Sequence, residues 1–169
     1  MTLPSAVGRL RSAFERLLEV IVFVLMISLA LIVTVAVIYR KAGDSLVWYD
    51  EIAEIALAWI TYYGAALAAL RGAHIGVSAL VDMLPRRLRV AAVIVAEAFV
   101  IGFFVLLAYA GWAVLEVLGT DYLVSLPEVS TSYTQSVIAI GAGLYVIAEL
   151  LHLPEALRAA ASQAPPREP

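Results

Sequence analysis

Apolar residues run uncharged from Val20 to Tyr39, and three further apolar runs follow. The second covers residues 52–70 with Glu54 near its start. The third covers 90–118 with Glu97 and Glu116 inside it. The fourth covers 133–153 with Glu149 near its end. Twenty helical residues rise about 30 Å, the thickness of a bilayer's hydrocarbon core. In lipid each backbone polar group must be bonded within its own segment, so these runs predict helices. Alternating strands of about ten residues, the mark of a membrane barrel, are absent from the sequence. The third run is longer than a perpendicular span requires, which predicts tilt or protrusion.

Two shorter stretches carry a different pattern. In residues 5–19, Val7, Leu10, Phe14, Leu17 and Leu18 recur at helical spacing, with Arg9, Arg11, Glu15, Arg16 and Glu19 on the other face. This predicts an amphipathic helix on the membrane surface ahead of the first span. Between spans 2 and 3, Val77, Leu80, Val81 and Leu84 repeat the pattern, and Pro85 ends it. A second short interfacial helix is expected there, with Arg86, Arg87 and Arg89 at headgroup level. Trp48 and Tyr49 mark the opposite interface, where amphipathic rings prefer to sit. The expected architecture is an all-α membrane protein with a single four-helix domain over residues 1–153. Residues 154–169, rich in Ala and Pro, are expected to be a flexible tail.

Composition agrees: the 169 residues are 63% hydrophobic, and mean hydropathy is +0.96. A soluble domain of this size would expose large apolar patches. Cysteine is absent, so disulfide and thiolate chemistry are excluded. The net charge of −3 says less than where the charges lie. Arg9, Arg11, Arg16, Arg71, Arg86, Arg87, Arg89, Arg158 and Arg167 fall on one side of the predicted topology, and only Arg40 and Lys41 on the other. The positive-inside rule then places both termini in the cytoplasm of a multi-pass inner-membrane protein. The first run exceeds the usual 7–15 or so apolar residues of a secretion signal, and Tyr39-Arg40-Lys41 follows it in place of small residues. It is expected to remain as a span.

A carboxylate inside hydrocarbon is costly and needs a reason to be there. Glu54 lies one turn into span 2 on the face of Glu51, where Arg40 and Lys41 are placed to pair with them. Glu149 lies at the inner end of span 4, within range of Arg86, Arg87 or Arg158. Glu97 lies about two turns into span 3. Structural pairing is the simpler role for these acids, and a proton- or ion-coupling role attaches chiefly to Glu97. Small residues four apart, Gly64, Ala68 and Gly72, Ala98 and Gly102, Ala139 and Gly143, predict faces for close helix packing.

Enzyme and nucleic-acid signatures are missing. There is no phosphate-binding glycine loop, HExxH or metal-ligand cluster, and no catalytic, cofactor-binding or metal residue is predicted. His74 and His152 stand at the inner ends of spans, a poor place for a bis-histidine haem. A haem-bearing anchor of an oxidoreductase is therefore the weaker alternative. A small autonomous channel or exporter is another, although a proton-driven exporter needs an acid at the middle of span 1, where only Ser28 and Thr34 are polar. Nor is there the pair of discontinuous helices that builds a transporter's central site.

The order of motifs is informative. Span 1 ends in Tyr39-Arg40, Trp48-Tyr49-Asp50-Glu51 opens span 2, and Trp59 and Gly64 lie within it. Arg71-Gly72-Ala73-His74-Ile75-Gly76-Val77 and Leu84-Pro85-Arg86 follow. Over residues 15–153 this resembles the small membrane subunit, the DctQ type, of tripartite ATP-independent periplasmic (TRAP) transporters. Asp50 stands where relatives often carry a first Glu, and Ser78 follows where an Asp is frequent. The resemblance implies a non-catalytic scaffold for a large elevator-type subunit that holds the substrate and Na⁺ sites. It also implies a periplasmic binding protein that delivers an organic acid. On that reading Trp48, Asp50 and Glu51 orient helix 2 or touch the binding protein. Arg71 and His74 tie helix 2 to the surface helix or to lipid headgroups.

Overall fold

The computed structural model describes residues 6–73 and 84–162. The expected surface helix around Val77–Leu84 and His74 lie largely or wholly outside the described residues. Among the described residues there are four α-helices: α1 (Ala6–Ala42), α2 (Tyr49–Leu70), α3 (Arg86–Val117) and α4 (Thr131–Ser162). Each is long and apolar enough to cross a membrane.

α1 differs from the sequence expectation. Its 37 residues form one uninterrupted helix, about 56 Å long. No turn separates the expected surface helix from the span. From Arg9 to Ala42 there is neither Gly nor Pro to break it. Tertiary contact also holds the early part straight: Leu18 is fully buried and Phe14 packs beside it, while Leu10 and Leu17 stay exposed. The amphipathic face is therefore divided between the protein core and the outside.

Both α1 and α2 end in a glycine with positive φ. The Gly43 and Asp44 amides bond to the carbonyls of Arg40 and Tyr39. The Gly72 and Ala73 amides bond to those of Ala69 and Ala68. This double bond pattern satisfies carbonyls that the helix end would leave open, and it requires the left-handed residue that glycine supplies. Asp50 and Glu51 occupy the first turn of α2, where the helix dipole favours negative charge. Pro85 caps α3 from an extended conformation, and a short 3-10 turn, Leu118–Thr120, closes it.

α4 continues through Pro154 to Ser162, nine residues beyond the predicted end at 153. Residues 154–162 of the expected flexible tail are thus helical. Proline weakens a helix interior by removing one donor. Here the last turns are held laterally: Arg11 of α1 pairs with Glu155, and Ala160 is buried.

The helices pack side by side in the order α1, α2, α4, α3. α4 is the centre: 39% of its most apolar window is buried, against 6%, 11% and none for α1, α2 and α3. The core gathers Leu18, Ala66, Ala69, Leu70, Tyr145 and Ala148. The Phe104 ring of α3 stacks on Tyr145 at 3.6 Å between centroids. Close approaches occur where a side chain would not fit. A Cβ on Gly141 would stand 2.6 Å from Tyr62 Cβ, and one on Gly111 would stand 2.9 Å from the Ala139 nitrogen. The small-residue faces expected from spacing are largely elsewhere. Gly64, Gly102 and Gly143 each face open space, and Ala98 is exposed. Of those residues, Ala139 makes a tight contact, opposite Gly111, and Gly72 makes one with the ring of His152.

Candidate functional site

Polar chemistry concentrates at the two ends of the bundle. At the end that holds α1's start and α4's finish, Arg71 follows the last residue of α2. Its Nε donates to Glu15 Oε1 at 2.8 Å, and its Nη2 bonds to Glu19. Glu15 and Glu19 are one turn apart on α1, so a single guanidinium clasps two acids and fixes α1 to α2. Arg11 lies on the same part of α1. It donates to the Leu70 carbonyl at 2.8 Å and pairs with Glu155 of α4. Glu155 Oε2 also stands 3.8 Å from His152 Nδ1. The His152 ring lies so close to Gly72 that a Cβ there would sit 2.5 Å from it. Three helices are thereby laced together at one level.

Above this lacing, the buried charged residues among those described are Arg89 at 2% exposure and Glu149 at 1%. Arg89 Nη2 donates to the Leu84 carbonyl at 3.2 Å. Glu149 lies on α4, and Glu97, half-buried, lies on α3. Arg86 and Arg87, expected as partners for Glu149, are exposed. Arg89, expected at headgroup level beside them, is instead the arginine turned inward. Its only signal was a place at the start of an apolar run.

At the opposite end, Glu51 holds the α3–α4 connection. One carboxylate oxygen accepts from the Val124 amide at 3.0 Å. The other accepts from the Ser125 amide at 2.8 Å and from the Ser125 hydroxyl. The connection folds on itself through the Leu123 amide to Val129 carbonyl bond at 3.0 Å and the Thr131 amide to Asp121 carbonyl bond at 2.9 Å. Its apolar plug, Leu123, is 8% exposed. The expected pairing of Glu51 and Glu54 with Arg40 and Lys41 is not formed. Arg40 instead bonds to the Tyr49 hydroxyl, its guanidinium carbon 5.5 Å from the ring centroid. This joins the end of α1 to the start of α2.

Glu54 stands exposed and carries no ion pair among the described residues. It lines a cleft of about 340 Å³ with Glu51, Tyr122, Leu123, Thr134 and Gln135. Deeper in, Trp59 Nε1 donates to the Thr134 carbonyl at 2.9 Å, a tie between α2 and α4. Trp48 precedes α2 and is partly exposed. Asp50 is exposed beside it, and Val47 and Val124 are almost bare. The structure thus brings Trp48, Asp50, Glu51 and Glu54 to one end of the bundle and Arg71, Arg86 and Arg87 to the other. Among the described residues no group of three or more His, Cys, Asp or Glu is arranged to hold a metal.

Four spanning helices, with their polar side chains largely engaged in joining one helix or loop to another, define a polytopic helical membrane protein. The chain belongs to the DctQ component family of tripartite ATP-independent periplasmic transporters, whose sequence model matches residues 29–159. It is therefore a small permease component of that transporter class. It is also similar to the C4-dicarboxylate TRAP transporter small permease protein DctQ of Vibrio cholerae serotype O1 (strain ATCC 39315 / El Tor Inaba N16961). The two are 31% identical over 109 residues, which is 64% of this chain and 46% of that relative. The match thus spans about half of the relative's length.

Proposed function

We propose that this chain is the scaffold of a TRAP transporter in the bacterial inner membrane, with both termini in the cytoplasm. It braces a large multispan subunit that carries the substrate and Na⁺ sites. It presents its periplasmic end to a binding protein that delivers an organic acid. The observation that carries this reading is the division of labour in the fold. Polar side chains join the helices at their ends, while long apolar faces on α1 and α3 are left uncovered by the chain itself. Such faces suit lipid and a larger membrane partner. The placement of nine of eleven basic residues on the side of the termini supports the orientation.

Trp48, Asp50 and the open cleft at Glu54 form the surface offered to the binding protein, with Val47 and Val124 beside them. Glu51 serves that surface by positioning the α3–α4 connection. The reading is tested by affinity purification of the tagged full-length chain from its native membrane in mild detergent, followed by mass spectrometry. A much larger multispan protein recovered in fixed ratio is the expected result. Recovery of the chain alone, or with redox proteins, overturns it in favour of an autonomous channel or a haem-bearing anchor.

A further inference from the structure

The basic residues at the start of α1 are used in two ways. Arg11 is neutralised by Glu155, on the side of α1 facing its neighbours. Arg9 and Arg16 are exposed and carry no ion pair among the described residues. Together with Ser12, Ala13, Leu17 and Val20 they border an open recess of about 580 Å³ along α1. Val20 also borders a second open recess of about 430 Å³, whose walls include Phe23, Met26 and Leu67. The acid at its edge, Glu19, is held by Arg71. Val20 borders both recesses, with the two guanidiniums on one side of it and apolar side chains on the other.

The first apolar run begins at Val20, so this position coincides with the boundary between headgroups and hydrocarbon. Guanidinium groups bind phosphate oxygens through paired, charge-assisted hydrogen bonds. An acyl chain matches the apolar side chains below them. We propose that this surface on either side of Val20 binds one anionic phospholipid, its phosphate on Arg9 and Arg16 and one chain along Val20, Phe23 and Met26. Two guanidiniums without a facing carboxylate favour a headgroup that carries no ammonium. The inference requires only that the chain spans a membrane, and so stands apart from the transport reading.

Native mass spectrometry of the full-length chain in detergent, titrated with phosphatidylglycerol or phosphatidylcholine, tests it. The wild type should retain one phosphatidylglycerol in preference to phosphatidylcholine. Replacing both arginines (R9Q with R16Q) should weaken that binding roughly 30-fold, the equivalent of about 2 kcal/mol for two basic side chains. The R9K and R16K pair should retain most of it. R86Q with R87Q removes as many exposed charges from the same end and should change it less than about threefold, since a diffuse surface charge confers no bound stoichiometry. Equal losses in the two neutralised pairs overturn the site, as does equal retention of both lipids. Displacement by millimolar inorganic phosphate would show a phosphate site without a chain and also overturn it. A photo-crosslinker at Val20 in native membranes should yield a lipid adduct. An adduct to another polypeptide would assign the surface to a protein partner instead.

Discussion

α4 and α3 are both 32 residues long and both strongly apolar, yet they have opposite surroundings. α4 lies between α2 and α3 and buries Val137, Gly141, Ala142, Tyr145, Ala148, Glu149 and Ala160. α3 buries only Arg89 and Gly111, and leaves Phe99, Phe103, Leu106, Tyr109 and Trp112 open. Hydrophobicity does not separate them: α3 is the more hydropathic of the two. In lipid a Leu gains little by turning inward, because the outside is as apolar as the inside. Position is decided by side chains that permit close approach or require a polar partner. α4 is built of these, and α3 carries a coat of bulky residues with a narrow seam for α4.

The sharpest way to break this comparison is to place the same bulky side chain on both helices. Gly141→Leu must displace Tyr62, whose Cβ would lie 2.6 Å from the new Cβ. Overpacking at such a site costs about 3 kcal/mol, which for a chain of this length lowers the thermal midpoint by roughly 6–12 °C. Gly102→Leu on α3 meets nothing within 4 Å and should move it by less than about 2 °C. Thermal unfolding of both variants in the same detergent checks this. Equal losses would mean that the open face of α3 is packed in the protein as isolated.

The same distinction explains what the sequence disclosed. The four spans were legible because an uncharged run of membrane length has few other solutions. Their centre was not, since the signal for it is packing and not hydropathy. Spacing drew attention to Ala98 and Gly102, which turned out to face outward, while Gly111 and Gly141 belong to no four-residue motif. The continuity of α1 was hidden because its first turns bear an amphipathic pattern equally suited to a membrane surface. Only the burial of Phe14 and Leu18 and the clasp at Arg71 show that part of it faces protein. The helical passage through Pro154 depends on lateral contacts to Arg11, which no local rule contains. At the candidate site, sequence brought out Glu51 and Glu54 together. It paired them with nearby cations, because backbone amides 73 and 74 residues away carry no signature.

Those two acids offer the second comparison, within one cleft. Glu51→Ala removes the acceptor for two backbone amides and a hydroxyl, so hydrogen exchange at Val124 and Ser125 should accelerate together. Glu51→Gln keeps one acceptor oxygen and should protect one amide better than the other. Glu54→Gln removes a charge from the same cleft and should leave both amides as they were. If Glu54→Gln also released the connection, the division between a holding carboxylate and an open one would fail.

The smallest effect concerns how α1 is attached. Beyond Leu18 most of its length is bare, so its place depends on its first turns and on the Arg40–Tyr49 contact at the other end. Arg71→Ala removes two ion pairs whose members are about one third to one half exposed. Pairs of this kind contribute about 0.5 kcal/mol and are screened by salt. Leu18, by contrast, contributes through burial and is indifferent to salt. The stability difference between wild type and Arg71→Ala should therefore be small in dilute buffer and vanish near 1 M salt, where the Debye length falls to about 3 Å. A loss that persisted at high salt would show that Arg71 also sets the course of the chain at Gly72, whose left-handed turn rests against His152. The clasp would then govern the joint between α2 and α4 as well as the one between α1 and α2.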